Sequence, residues 1–194
     1  MESRGRDVLF YRLPAGTSAI NAALPSQFRI CWWAPGWCRI RPPSMPLTKG
    51  LTFWIFDRVR IFNAPGYAAL LIYDGNRLIH RACIFPRFFR FPFMGANDLQ
   101  AGYLWTADSH RGRGIATASL SMILARLGPK TTFWYLSENS NPASIKVAEA
   151  NGFSLVGRGA KLSRIGLRAL GHYSLEDSAS PNQTRLPPGN TGAS

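Results

Sequence analysis

The stretch HRGRGIATA, residues 110–118, constrains this chain more than any other. It follows LQAGYLWTA (99–107), an apolar run that reads as a strand. It leads into a segment where Ala116, Leu120, Ile123, Leu124 and Leu127 recur at helical spacing, ended by Gly128-Pro129. A strand that passes through a glycine-rich turn directly into a helix is built to hold an anion. The first N–H groups of a helix lack backbone partners and carry partial positive charge. A pyrophosphate can accept several hydrogen bonds there. Gly112 and Gly114 have no Cβ, so the backbone can approach the phosphates closely, and Ala116 stays small for the same reason. Arg111 and Arg113 add charge, while the amides do the orienting. The pattern is neither a P-loop, since no Gly-Lys-Ser/Thr follows, nor G-x-G-x-x-G.

The rest of the chain reads as one α/β domain over residues 1–176. DVLFYRL (7–13) is a first strand. Residues 14–62 are rich in proline and tryptophan and expected to be irregular on the substrate side, with a helix over 47–62. YAALLIYDGNRLIHRACIF (67–85) is a hairpin around Asp74-Gly75-Asn76. TTFWYLS (131–137) is a further strand. NPASIKVAEANGF (141–153) is a helix with Asn141 as N-cap, Pro142 in the first position and Asn151-Gly152 as the stop. SLVGRGAKLS and LRALGHYSLE form a closing strand pair. Residues 177–194 are small, polar and proline-rich, and are expected to be a disordered tail.

The spacing Arg111-x-x-Gly114-x-Ala116 resembles the coenzyme A loop of the GNAT superfamily, the acyl-CoA-dependent N-acyltransferases. A second segment is similar to the same family. Asn141, Ser144 and the closing Gly152-Phe153 match its other coenzyme A element, in the expected order and one strand later. The resemblance spans residues 67–176 and is clearest over 99–157. It implies a central mixed, mostly antiparallel sheet flanked by helices and splayed around an acyl-CoA cleft. It implies acetyl-CoA or another acyl-CoA as donor and an amine as acceptor. The phosphates would lie on Arg111, Gly112, Arg113, Gly114, Ile115 and Ala116, with Ser144 near them and Asn141 on the pantetheine arm. Backbone groups of Tyr103, Leu104 and Trp105 would contact the acyl end.

Acyl transfer to an amine needs a route for the ammonium proton, a donor to the carbonyl oxygen and a path for the departing thiolate. The family's usual proton-handling positions carry Gln100 and Ala148 here, and neither is a base or a phenol. Asp98 and Glu138, acting through water, and His80 are the remaining candidates, each with a plain structural alternative. Proximity alone, with an amine that loses its proton to solvent, is another route.

The sequence carries 23 Lys+Arg against 10 Asp+Glu, a formal charge of +13. That field disfavours cationic acceptors and favours an acidic one, an amino sugar or a peptide or protein amine. Two other classes stay open. Arginines and phenylalanines alternate in IFPRFFRFPF (84–93), as on a base-stacking nucleic-acid surface or a membrane-surface segment. Three cysteines make no disulfide framework, and CWWAPGWC (31–38) lacks zinc-knuckle spacing, so no metal site is expected. The N-terminus does not read as a signal peptide, and no apolar run of about 18 residues is present. A cytoplasmic protein with reduced thiols is expected.

Overall fold

The computed structural model describes residues 7–17, 23–62, 64–128, 130–164 and 167–177. Among these residues ten strands and three α-helices follow in chain order, with one short 3-10 turn at Asp108–His110. They are β1 (Val8–Leu13), β2 (Phe28–Trp33), α1 (Leu47–Arg58), β3 (Ala68–Asp74), β4 (Arg77–Pro86), β5 (Leu99–Thr106), α2 (Ile115–Leu127), β6 (Phe133–Glu138), α3 (Pro142–Ala150), β7 (Ser154–Gly159), β8 (Lys161–Arg164), β9 (Leu167–Tyr173) and β10 (Glu176–Asp177). Eight strands form one sheet in the order β10-β7-β1-β6-β5-β4-β3-β2. Only β5 and β6 run parallel, joined by the crossover through α2; every other neighbour is antiparallel.

The strands alternate their side chains between two apolar layers. Phe10, Trp33, Leu71, Cys83, Phe85 and Trp134 face α1 and the loop after β4. Leu70, Ala82, Ile84, Ala101, Phe133 and Tyr135 face α2 and α3. This is the period-2 pattern of a sheet covered on both sides. The α1 side is mostly aromatic: Phe85 packs on Phe53, Tyr67 and Tyr103 at centroid distances of 4.6, 5.3 and 5.6 Å.

Two elements differ from expectation. β2 lies inside the stretch expected to be irregular. It is an edge strand whose only neighbour among the described residues is β3, in register from Phe28↔Asp74 to Trp33↔Ala69. Its burial does not alternate, so no sequence period announces it. Helix α1 also stops at Arg58, before residue 62, and Arg60 then takes a φ of +56°. The closing strand pair splits in two. β7 and β10 complete the main sheet, while β8 and β9 pair apart from it. The break falls at Ala160, whose carbonyl accepts from the Ser174 N–H at 3.2 Å. Asp177, placed in the tail by composition, pairs with Gly157; residues 178–194 lie outside the described residues.

At that break Gly159 lies against the Ser174 carbonyl oxygen, which a Cβ would overlap, with the Phe10 ring at 3.0 Å. Gly159→Ala is expected to lower stability by about 2 kcal/mol, because a backbone carbonyl cannot step aside as a side chain can. Urea denaturation reads the loss directly.

Burial places most rings of the aromatic-basic stretch in the core. Phe85, Phe88 and Phe91 are core residues and Phe93 is half-buried; of the five phenylalanines only Phe89 is exposed. Their rings pack on one another, and no base-stacking row faces outward.

Candidate acyl-CoA site

β5 positions the site. It pairs with β6 only at Leu99↔Phe133, Gln100↔Trp134 and Ala101↔Tyr135. Beyond Ala101 the two strands part, and the β6-facing edge of residues 102–106 has no ladder partner. On its other edge β5 stays with β4, but the register jumps from Arg81↔Trp105 to Cys83↔Gly102. The extra residue is a β-bulge at Tyr103-Leu104, and Tyr103 takes a φ of +51°. A positive φ at a non-glycine residue costs about 1–2 kcal/mol. Packing holds it: the Tyr103 ring contacts Phe53 and Phe85 and lies 4.9 Å from the Lys49 Nζ of α1. The bulge and the splay thus leave Tyr103, Leu104 and Trp105 on the stretch of β5 that has no β6 partner.

The cradle follows. Gly112 and Gly114 have φ of +74° and +73°, a backbone that side chains rarely adopt, and a Cβ at either would meet nothing within 4 Å. Helix α2 starts at Ile115 with no side-chain cap and no acidic residue in its first turn. Its leading N–H groups therefore lack the usual capping oxygen. An anion such as a pyrophosphate fits this charge and this gap.

The cradle is braced from three sides. His110, at its start, is buried and sits 3.3 Å from Asp74 at the hairpin turn. Asn151, at the end of α3, donates to the Thr117 carbonyl of α2 at 3.3 Å. His80 of β4, fully buried, lies 2.8 Å from Thr106 Oγ1 and 2.7 Å from Ser119 Oγ. Ser119 donates its single proton to the Ala116 carbonyl, so it accepts from His80 Nε2–H, and Nδ1 accepts from Thr106. Burial and the nearby Arg81 charge lower the His80 pKa to about 4, which keeps the ring neutral. With both nitrogens used, His80 locks the end of β5 to the first turn of α2 and does not reach the gap. These long-range contacts carry no sequence signal.

The other predicted residues are placed as follows. Arg111 donates to the Thr106 carbonyl and pairs with Asp108 at 2.9 Å, so its guanidinium braces the turn; Arg113 is exposed. Asn141 Oδ1 accepts from the Ser144 N–H at 3.1 Å and caps α3. Ser144 Oγ lies 2.8 Å from the Tyr135 hydroxyl. Tyr135 pairs with Ala101, the last rung before the splay, and burial holds its phenol above the usual pKa while Ser144 opposes. Ala148, on α3, is fully buried against the sheet side of the core.

Among the proton-handling candidates, Asp98 is engaged. It accepts from Gly95 N–H at 2.8 Å and from Trp134 Nε1–H at 2.7 Å, which closes the turn before β5. Glu138 is exposed at the C-terminal end of β6, beyond the point where the strands part. Gln100 is buried beside the splay, and its Oε1 has no hydrogen-bond partner. A buried orphan acceptor is uncommon and suits a ligand or water donor. Among the described residues no cluster of three or more His, Cys, Asp or Glu could hold a metal ion. Among them also, no helix is long and apolar enough to cross a membrane.

The strand that parts from its parallel neighbour, bulges, and ends in an uncapped glycine turn sets the frame of this α/β domain's candidate site. The sequence profile of the acetyltransferase (GNAT) family matches residues 31–153, and the chain belongs to that family. The fold is similar to a GCN5-related N-acetyltransferase from Sphaerobacter thermophilus, with TM-score 0.52 and 15% identity over 79% of this chain and 50% of that one. It is also similar to an acetyltransferase from the GNAT family from Colwellia psychrerythraea, with TM-score 0.50 and 18% identity over 77% and 53%. The chain thus spans about half the length of these relatives. No curated protein sequence matches it significantly.

Proposed function

We propose that the chain is an acyl-CoA-dependent N-acyltransferase that moves an acetyl or related acyl group to an amine on an amino sugar, peptide or protein, in a compartment where its three cysteines stay reduced. The observation that carries this reading is the junction of the β5–β6 gap with the uncapped α2 turn, both built from the one segment 99–116. Bound there, an acyl-CoA supplies an activated thioester carbonyl and a thiol leaving group. The N–H groups of Ile115, Ala116 and Thr117 would hold its pyrophosphate, with Gly112 and Gly114 leaving room. The free edge of β5 at Tyr103–Trp105 would polarise the carbonyl oxygen, and Gln100 Oε1 would accept from the incoming amine or from a water beside it. With Asp98 engaged and His80 sealed, the amine reaches its neutral form through solvent, and rate comes from proximity. The Tyr135–Ser144 hydroxyl pair, on the last rung before the strands part, would supply the proton to a departing thiolate.

Calorimetric titration of acetyl-CoA into the purified protein at low and moderate salt tests the reading. Saturable one-to-one binding at both salts is expected; heats that vanish with salt would mark nonspecific charge attraction and sink it.

A further inference from the structure

The face of the sheet opposite α2 carries a charge that the acyl-CoA site does not use. Arg81 of β4 is only 5% exposed. Its guanidinium sits in the α1-side layer beside Tyr67 and Cys83, whose ionisations it influences. Its protein partners are neutral: the Cys83 thiol and the Pro43 carbonyl, the latter at a long 3.4 Å. Arg81 Nε has no partner, and among the described residues no carboxylate lies within salt-bridge distance of this guanidinium. Burying a charge without a counter-charge is costly, and proteins rarely keep one without a use.

Arg81 adjoins a cleft of about 600 Å³. Pro43, whose carbonyl it reaches, and Leu71, its cross-strand neighbour on β3, both line that cleft. So do Arg39 and Arg41, with Trp32, Trp33 and Tyr73 as flat apolar walls, and no acidic residue among the described ones. On its other side Arg81 pairs with Trp105 of the splayed strand. Neighbouring strands lie about 5 Å apart. An anion at Arg81 would therefore sit one strand from the acyl gap, within reach of a single small molecule that carries an amine a few bonds away.

We propose that Arg81, assisted by Arg39 and Arg41, is the anion-binding element of the acceptor site, so that the acceptor is a small amine with a carboxylate or phosphate group and a ring or apolar body. This rests on the acyltransferase reading for the reaction but not for the binding. Arg81 is a specificity residue: it holds the acceptor's anion and leaves the acyl donor alone.

The test uses two matched pairs, L-phenylalanine with L-phenylalaninamide and glucosamine 6-phosphate with glucosamine. Binding is read by quenching of tryptophan fluorescence, since Trp32 and Trp33 line the cleft, and N-acetylation by each is read separately. The anionic member of at least one pair is expected to bind about tenfold tighter, the size of a charge-assisted hydrogen bond, and the pair that responds tells carboxylate from phosphate. Arg81→Met should erase that preference and leave acetyl-CoA affinity within about twofold, while its melting temperature holds or rises as a buried charge is removed. Should Arg81→Met not fold, the exposed Arg39→Gln and Arg41→Gln decide, each lowering the preference several-fold. Neutral members binding as well as anionic ones, or a preference that survives in the folded variants, overturns the proposal. A wild type that shows the preference but binds no acetyl-CoA would overturn the acyltransferase reading and keep the anion site.

Discussion

Gly114→Glu is expected to abolish acetyl-CoA binding, with a loss of at least about 100-fold in affinity, roughly 3 kcal/mol. Three effects act in the same direction. The residue sits at φ +73°, where a side chain brings about 1–2 kcal/mol of strain and shifts the turn. The space beyond its Cα is open, so a new side chain enters the volume that the phosphates need. The added carboxylate repels the pyrophosphate and can itself accept from the bare N–H groups of α2, as a capping acid does. Gly114→Ala separates these effects: it keeps the strain without the charge, and a loss nearer tenfold is expected. Calorimetry gives both affinities, and circular dichroism confirms that the variants are folded. A folded Gly114→Glu protein that binds acetyl-CoA like wild type would remove the cradle from this loop.

Acid should weaken the fold through His80 before the carboxylates matter. In the folded chain its pKa is lowered to about 4 by burial first and by Arg81 second, against 6.5 when exposed. Between those values the unfolded chain binds the proton and the folded chain does not. The stabilisation is therefore complete above about pH 6.5 and lost as pH falls toward 4. Urea denaturation should show a fall of about 2 kcal/mol between pH 7.5 and 5, of a full loss near 3 kcal/mol. His80→Gln should flatten this slope. A wild type with no slope in that window would mean that the ring is not held neutral. Because the folded chain keeps His80 neutral down to about pH 4, its link from Thr106 to α2 through Ser119 holds, and acetyl-CoA affinity should not change through His80 between pH 7.5 and 5.

Much of the candidate site's local backbone was legible because its signals are local. Gly112 and Gly114 lie two residues apart, and Asn141 caps the amide of Ser144 three residues on. Asp74, Gly75 and Asn76 bend a hairpin within three positions. Such signals act through backbone dihedrals and neighbouring amides, so a short window contains their whole cause. The splay was legible in another way, through resemblance, since nothing in LQAGYLWTA itself says where β6 stops pairing.

What only the tertiary structure decided involves partners far apart in the chain. β2 is a strand because β3 offers it an edge, and FRICWW has no alternation of its own. Asp98 becomes a turn brace because Trp134 reaches its Oδ2 across 36 residues. His80 and Ser119, 39 residues apart, become one buried link. Arg81 is one basic residue among many in the sequence; only the packing of Tyr67, Cys83 and Pro43 around it strips away water and supplies no counter-charge. Sequence determines which groups a residue carries and how the nearest backbone turns. Burial, and with it the energy of every charge and hydrogen bond, is set by the chain segments that the fold brings together.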